Sequence, residues 1–381
     1  MFIFCAGQIN TFQDKIVHEA AKLPITAAVH SGGRLHWQVR NMNNSNEQYI
    51  GKQLAANLFN HSGVFVLPAM TLLSGEHIRL ISQHKILLEP HDVFQVDNAA
   101  FYQLAVDDCT AAMESIFDQL RYTKTKRLPM IEIRNEVIPF IQQVSEKNDF
   151  YGILAALQSK DDYTYRHNVA VGIISTLLGK WLKLKPEELS MLTIAATLHD
   201  IGKIMIPAEI LTKPGPLSVE EHALMKKHTT FGYEMIRDTV GTTHMQALVA
   251  LQHHERMDGS GYPFGVLGHR ITDFSKIVAV ADIFHAMTSD RFYRTAAPLY
   301  EVLRQMDDNV YGKLDPYICS VFINKLMQSM IGNEVLLTDG RIGKIIMILA
   351  HDPLRPLVNI DDDFIDLSRH RQLGIVRVIP Q

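Results

Sequence analysis

Between residues 98 and 330, hydrophobic residues recur every three to four positions, which is the period of an amphipathic helix. The segments AVDDCTAAMESIFDQLR and IEIRNEVIPFIQQVSE follow this period. Helix-start signals also occur: Pro186 precedes two glutamates in KPEELSM, and Ser218 with Glu221 forms a capping box. The pattern therefore predicts a predominantly helical domain over residues 98–330.

Both ends of the chain show other patterns. In residues 1–97, AVHSGGRLHWQVR predicts two strands around a Gly-Gly turn, and Ser74 precedes a short helix. Near the C-terminus, NEVLLTDGRIGKIIMIL predicts a hairpin around Asp339 and Gly340. We therefore predict a mainly α protein with a small α/β module at residues 1–97 and a small β module at residues 331–381. Three roles are compatible with the first module: binding of a regulatory ligand, dimerisation, or a structural cap. It carries no motif that decides among them.

Composition limits the classes of partner and compartment. The 381 residues carry a formal net charge of −4, which argues against wide nonspecific binding of long nucleic acid, since that needs a basic face. Three cysteines, an odd number without a CxxC pair, suggest neither a disulfide framework nor a thiolate zinc site. No apolar run reaches the ~18 residues of a spanning helix, and no signal peptide is apparent. We expect a cytoplasmic protein without a membrane partner.

The segment TLHDIGK places a histidine and an aspartate next to each other near a predicted helix end. Neutral imidazole and carboxylate are ligands that suit Mn, Fe, Co, Ni or Zn. Asp200 has two oxygens and can bridge two cations, while Lys203 lies three residues later, on the same helical face if the helix continues, and could meet a phosphate oxygen. An isolated His199-Asp200 pair, however, more often marks a helix end with a capping interaction, and a lysine there is favoured by the helix dipole.

Further candidate ligands occur in order along successive predicted helices. A carboxylate within the otherwise apolar IVAVADIF is costly to bury unless it is paired or bound to metal. Each histidine taken singly is more often an exposed or satisfied residue than a ligand. Their ordered recurrence with two aspartates instead predicts one shared metal centre. Beside His199 and Asp200, the candidates are His167, His228, His253, His254 and Asp282.

Three segments, HDIGK, HHERMDGSGYP and VADIFHAMTSDRFYR, resemble the motifs of the HD-GYP branch of the HD-domain phosphohydrolases. The connecting IPAEILTKPGPLSVEEHALMKKH resembles the same branch. The resemblance covers about residues 150–300 in detail and the helices from about residue 98 in outline. An intact Gly261-Tyr262-Pro263 separates this branch from other HD enzymes. The resemblance implies that the helical domain is an HD-domain bundle.

The same resemblance implies a site with two divalent transition metals bridged by Asp200. Iron or manganese is favoured, with nickel, cobalt and zinc as alternatives. Some members of the family have a glutamate four residues before the first ligand histidine that supports a third metal, and here that position is Tyr163. Two metals are therefore expected, unless Asp161 or Asp162 substitutes. One metal would be completed by His167, His199 and Asp282, and the other by His228, His253 and His254.

The activity that the resemblance implies is hydrolysis of cyclic di-GMP to the linear dinucleotide, with a second cleavage to GMP left open. Two cations ~3.5–4 Å apart would activate a bridging hydroxide for in-line attack on phosphorus, with Asp200 and Lys203 as catalytic residues. An aromatic ring offers a face to guanine, and the fork of arginine suits a second phosphate. The expected substrate-binding residues are Tyr262, Pro263, Arg291 and Arg294.

Other interpretations stay open at this point. The site could be slow or inactive, so that the protein senses a cyclic dinucleotide or mediates an interaction, or the enzyme could act on another nucleotide such as guanosine tetraphosphate. The sequence identifies no residue that would recognise a particular base. A cyclic dinucleotide that contains adenine is therefore an alternative substrate. A homodimer, a diguanylate cyclase and other signalling partners are compatible with the sequence, which decides among none of them.

Overall fold

The computed structural model describes residues 46–50, 52–68, 71, 73–94, 98–123, 125, 127–147, 149–157, 163–289, 298–309 and 312–379. The chain divides into two compact units, Met1–Gln95 and Val96–Gln381. The strand pair predicted at AVHSGGRLHWQVR lies outside the described residues. The roles suggested for the N-terminal module stay predictions.

The described part of the first unit contains one α-helix, two 3-10 helices (Glu47–Tyr49 and Pro90–Asp92) and short strands. Helix α1 (Gly75–Gln83) begins after Ser74, as the sequence predicts. Ser74 Oγ accepts the N–H of His77 at 3.3 Å, and His77 Nδ1 accepts the N–H of Ser74 at 3.2 Å, so two otherwise unpaired donors are satisfied. The strands are β1 (Gln53–Leu54), β2 (Leu58–Phe59), β3 (Phe65–Leu67) and β4 (Val93–Phe94). Strand β1 pairs with β4, and β2 pairs with β3.

The second unit is mainly helical. Its described helices are α2 (Asn98–Thr123), α3 (Met130–Glu132), α4 (Ile138–Ser145), α5 (Phe150–Leu157), α6 (Tyr163–Trp181), α7 (Pro186–Thr197), α8 (Ala208–Leu211), α9 (Val219–Lys226), α10 (His228–Arg237), α11 (His244–Gln252), α12 (Asp273–Thr288), α13 (Leu299–Asn309) and α14 (Pro316–Gln328). Within the described residues, no helix combines the length and the hydropathy needed to cross a bilayer.

Helix starts in this unit follow the local signals of the sequence. Pro186 is the first residue of α7, where its missing N–H costs no helical hydrogen bond. Ser218 caps α9: its Oγ accepts the N–H of Glu221 at 3.2 Å, and the Glu221 carboxylate accepts the N–H of Ser218 at 2.7 Å. Both predicted starts are therefore confirmed.

One predicted helix is interrupted. A π-helical stretch, Ile133–Val137, joins α3 to α4, although the hydrophobic period of this segment runs on without a break. Pro139 stands in the first turn of α4 and has no N–H to donate to the preceding turn. The wider π turn lies where the regular α-helical bonding is lost, which periodicity alone does not reveal.

A five-stranded antiparallel sheet in the order β8-β7-β6-β5-β9 follows the helices. The predicted hairpin is confirmed: β5 pairs with β6, and Gly340 in the turn has φ +87°. Buried Val335, Ile345 and Val358 belong to the same hydrophobic core as the helices. The predicted fold class, mainly α with a small sheet at the C-terminal end, is confirmed. The strands are β5 (Glu334–Leu337), β6 (Ile342–Leu349), β7 (Asp352–Ile360), β8 (Asp363–Asp366) and β9 (Ile375–Ile379).

Candidate metal centre

Five helices of the second unit bring the predicted metal ligands to one point. His167 lies within α6 and Asp282 within α12. The other ligands stand at helix ends, where the turn lets adjacent side chains point inward. Of the seven side chains, six are buried and His254 is partly exposed. Those at helix ends are His199 and Asp200 after α7, His228 at the start of α10, and His253 and His254 after α11.

Asp200 occupies the middle of this cluster. Its Oδ2 lies 3.3 Å from His199 Nε2 and 3.7 Å from His167 Nε2. Its Oδ1 lies 3.2 Å from His228 Nε2 and 3.7 Å from His253 Nε2. The two oxygens of one carboxylate therefore face two separate pairs of imidazoles.

The ligand atoms form two groups that meet at Asp200. In the first group, His167, His199 and Asp282, the ligand atoms lie within 4.8 Å of one another, and His167 Nε2 is 3.2 Å from Asp282 Oδ1. The second group also spans no more than 4.8 Å between ligand atoms. These groups have the membership that the sequence suggests for two metals, while metal binding itself stays a prediction. The second group consists of Asp200, His228, His253 and His254.

Backbone hydrogen bonds orient three of the imidazoles. His199, His228 and His253 each direct Nδ1 at the carbonyl oxygen three residues earlier, at 2.7, 2.8 and 3.0 Å. A carbonyl oxygen only accepts, so in these rings Nδ1 carries the hydrogen and Nε2 presents its lone pair. Each Nε2 faces Asp200, so the tautomer that binds metal is already selected.

Burial and charge set the ionisation of the centre. Burial lowers the pKa of His253 to about 4, and burial together with His253 holds the pKa of His254 well below its usual range. Burial opposes ionisation of Asp200 as well, but Lys203 and His199 outweigh it and hold the pKa of that carboxyl well below normal. Neutral imidazoles beside an ionised carboxylate are the forms that ligate divalent metals.

The remaining acid of the centre behaves like Asp200. Burial alone would raise the pKa of Asp282, but His167 and then His254 hold it well below normal. His199 is different: burial disfavours its protonated form, yet the carboxylate of Asp200 raises its pKa above the usual value. A cation placed beside Asp200 would take over the role of that proton.

The segment HHERMDGSGYP folds back onto the end of α11. The N–H of Tyr262 donates to His254 O at 3.2 Å, and the two rings stack with centroids 4.6 Å apart at 31°. A Cβ at Gly261 would lie 2.5 Å from backbone atoms of Glu255 and Arg256, so only glycine permits this approach. The turn thereby places an aromatic ring against a candidate metal ligand.

Glu255 is a site residue that sequence reasoning missed. It is buried, and its carboxylate accepts the N–H of Phe264 at 2.8 Å and of Val266 at 3.1 Å. These bonds hold the turn around Pro263 against α11, and the Tyr262–Pro263 peptide is cis. The available signal was the acid directly after the two histidines, before a glycine-rich turn. The predicted role of Pro263 in lining a pocket stays a prediction.

Two lysines lie beside the centre. Lys203 Nζ is 2.5 Å from Asp200 Oδ2, and its side chain is 23% exposed. Lys226 Nζ lies 5.1 Å from the ring centroid of Tyr262 and forms no ion pair with any residue that the structure describes. The ammonium of Lys203 is thus engaged with the central carboxylate, whereas that of Lys226 borders the aromatic ring.

Several predicted residues lie beyond the described part of the chain. Arg291 and Arg294 fall in the undescribed segment 290–297, and Asp161 and Asp162 fall in 158–162. Their roles at a second phosphate or a third metal stay predictions.

The donor set fits divalent transition metals. Asp200 Oδ1 is buried, and no donor among the described residues makes an aligned hydrogen bond to it, which is a costly arrangement for an anion. The oxygen nevertheless faces two imidazole Nε2 atoms whose lone pairs point towards it. A cation between these atoms would satisfy all three, and imidazole with carboxylate suits iron, manganese, cobalt, nickel and zinc.

Comparison with known proteins agrees with this chemistry. The family model described as HD domain matches residues 153–318. A cyclic di-GMP phosphodiesterase of Pseudomonas aeruginosa is 35% identical over 207 residues, 54% of this chain and 50% of that protein. One of Thermotoga maritima is 40% identical over 186 residues, 47% of this chain and 50% of that protein. A 3′3′-cGAMP-specific phosphodiesterase of Vibrio cholerae is 30% identical over 260 residues, 64% of this chain and 56% of that protein.

The chain spans about half the length of the curated relatives that it matches. The matched segment contains all the clustered ligands as well as the motifs HDIGK and HHERMDGSGYP. Residues 153–318 therefore match an HD domain, and the motifs within them resemble those of the HD-GYP branch.

Proposed function

We propose that this protein is a metal-dependent phosphodiesterase that hydrolyses cyclic di-GMP to the linear dinucleotide, with GMP as the product of any second cleavage. The observation that carries the proposal is the position of Asp200, whose two oxygens face two separate groups of ligand atoms. Relatives named as cyclic di-GMP phosphodiesterases support the substrate class.

Two cations, iron or manganese, would be held by the seven side chains. Nickel, cobalt and zinc suit the same donors. When bound, the pair supplies the Lewis acidity that phosphodiester hydrolysis needs. The bridging carboxylate would come from Asp200. One cation would be held further by His167, His199 and Asp282, and the other by His228, His253 and His254.

The surrounding residues position the substrate. Tyr262 lies next to His254 and presents a hydroxyl and a partly exposed ring at the edge of the centre. Glu255 holds the turn that carries this ring, so the ring keeps its place relative to the ligands. Lys203 can meet the charge that develops on the nonbridging oxygens of phosphate, because its Nζ already lies at the central carboxylate.

Lys203→Met is expected to lower kcat by about 10²-fold, because a cation near the developing charge is removed. Metal content should stay near that of the unmodified protein, since Lys203 is no ligand. The measurement is steady-state kinetics with metal quantification on the same sample. Lys213→Met is the matched control, because its Nζ also lies 2.5 Å from a carboxylate, that of Glu221, outside the centre. If KM alone rises, Lys203 binds substrate without acting in the chemical step.

Lys226→Met is expected to raise KM for cyclic di-GMP about tenfold with kcat nearly unchanged. The Lys226 ammonium beside Tyr262, which has no ion pair among the described residues, is suited to the phosphate that is not being cleaved, and a charged hydrogen bond contributes roughly 1.5 kcal/mol. The adjacent, exposed Lys227 supplies the control Lys227→Met. A KM that rises equally in both variants would assign the effect to general charge rather than to Lys226.

The function is tested by anaerobic purification, metal quantification and assay against cyclic di-GMP on one sample. Formation of the linear dinucleotide supports the proposal. Tight binding without product would make the protein a sensor instead. A parallel panel with 3′3′-cGAMP and guanosine tetraphosphate tests the other substrates, and the Vibrio cholerae relative makes 3′3′-cGAMP the second candidate.

A further inference from the structure

His167 differs from the other candidate ligands in what its second ring nitrogen contacts. The rings of His199, His228 and His253 direct Nδ1 at backbone carbonyl oxygens. His167 instead directs Nδ1 at Nδ1 of His285, 2.9 Å away. His285 is buried, and it lies on α12 three residues after the candidate ligand Asp282.

The proton positions follow from this contact. Two facing nitrogens at this distance need one hydrogen between them. For Nε2 of His167 to keep its lone pair towards Asp200 and Asp282 in a neutral ring, the hydrogen must lie on Nδ1 of His167. His285 then accepts on Nδ1 and, when neutral, carries its own hydrogen on Nε2. That nitrogen lies 3.1 Å from Ser289 Oγ, which can accept it.

We propose that His285 is a positioning residue that holds His167 in its metal-binding tautomer and orientation. This inference rests on the proposed metal centre. Helix α12 then serves the first group twice: Asp282 contributes a ligand atom, and His285 supports the neighbouring ligand on α6. The ligand chemistry concerned is a divalent transition metal held by His167, His199 and Asp282.

The support from His285 is specific to one of the two groups. Its imidazole packs against the ring of His167 with centroids 5.1 Å apart. In the second group, His228 and His253 are instead anchored by Nδ1 hydrogen bonds to backbone carbonyl oxygens, so they do not depend on His285. Loss of an outer hydrogen-bond partner of a ligand histidine typically weakens metal affinity by about 10–100-fold. The loss should therefore fall on one metal and leave the other.

The test is titration of the metal-free full chain with Mn²⁺, followed by calorimetry and elemental analysis. His285→Ala is expected to bind one Mn²⁺ with unchanged affinity and the other about 10–100-fold more weakly. His285→Asn should restore most of the affinity, because its side-chain oxygen can accept from His167 Nδ1. Ser289→Ala, which removes only the outer acceptor, should cause a smaller loss at the same site. The exposed His244 supplies the control His244→Ala.

Equal affinities for both metal ions in His285→Ala and unmodified protein would overturn the inference, as would equal losses at both sites. If His285→Ala fails to fold, the comparison of His285→Asn with Ser289→Ala decides. The inference requires that each of these variants loses Mn²⁺ affinity at one site only, and by less than the loss predicted for His285→Ala. If the metal affinities follow this order but no cyclic dinucleotide is hydrolysed, the inference stands and the proposed activity falls. If hydrolysis is observed and the affinities do not change, only the inference falls.

Discussion

Asp200→Asn is expected to lower turnover of cyclic di-GMP by about 10³-fold and to remove most of the bound metal. The amide is neutral and keeps only one oxygen, so it cannot present an acceptor to both groups of ligand atoms. Its NH₂ group would face either His199 and Lys203 or His228, where a cation or a donor is expected. The loss of metal should therefore reach at least the upper end of the effect of removing a single stabilising donor, which costs about 10²–10³-fold.

The measurement is kcat/KM together with elemental analysis of the purified variant. Asp273→Asn serves as the control. Asp273 is the first residue of α12, its side chain is 85% exposed, and among the described residues its ion pair is with Lys276. Near-normal turnover and metal content in Asp200→Asn would contradict the bridging role.

Gly202→Ala is expected to lower the melting temperature of the metal-free protein by about 5–10 °C. A Cβ at this position would overlap the carbonyl oxygen of His228 and the amide nitrogen of Gly232, and neither backbone atom can move without displacing α10. Overpacking of this kind costs about 3 kcal/mol, which corresponds to that shift in a domain of this size. Because His228 begins α10, its displacement should also weaken metal binding.

Thermal denaturation of the metal-free variants and a Mn²⁺ titration measure both effects. Gly75→Ala is the control, because a Cβ there meets no atom within 4 Å. Gly232→Ala should be intermediate, since its Cβ would lie 3.2 Å from Ala250 Cβ and 3.3 Å from Gly202 N. A Gly202→Ala protein that melts like Gly75→Ala would show that α10 can shift at little cost.

Local signals explain why much of the helical domain is predictable from sequence. A capping residue and the N–H that it accepts are three positions apart, so Ser218 with Glu221 marks a helix start wherever the helix lies in the fold. Asp282 is also recognisable locally, because an acid within an apolar run is costly to bury unless it is paired or bound to metal. The π-helical stretch before Pro139 is the exception, because the hydrophobic period continues across it.

Two supporting residues are not predictable in this way. Glu255 binds N–H groups nine and eleven residues later, and His285 contacts His167 across 118 positions of the chain. Neither residue belongs to a pattern whose spacing carries its role. Their functions depend on how a turn folds back and on how two helices pack. The hydrophobic periodicity of the sequence does not predict either arrangement.

The sequence by itself determined the helical class of the domain and the seven side chains that are chemically able to form a metal centre. Only the tertiary structure decided that the two oxygens of Asp200 face different groups, and that His285 stands behind His167. The physical reason is that spacing along a helix sets the direction of a side chain relative to its own axis. The distances between ligands on five helices instead depend on how closely the elements pack, as where Gly202 in the 3-10 helix Ile201–Met205 meets α10.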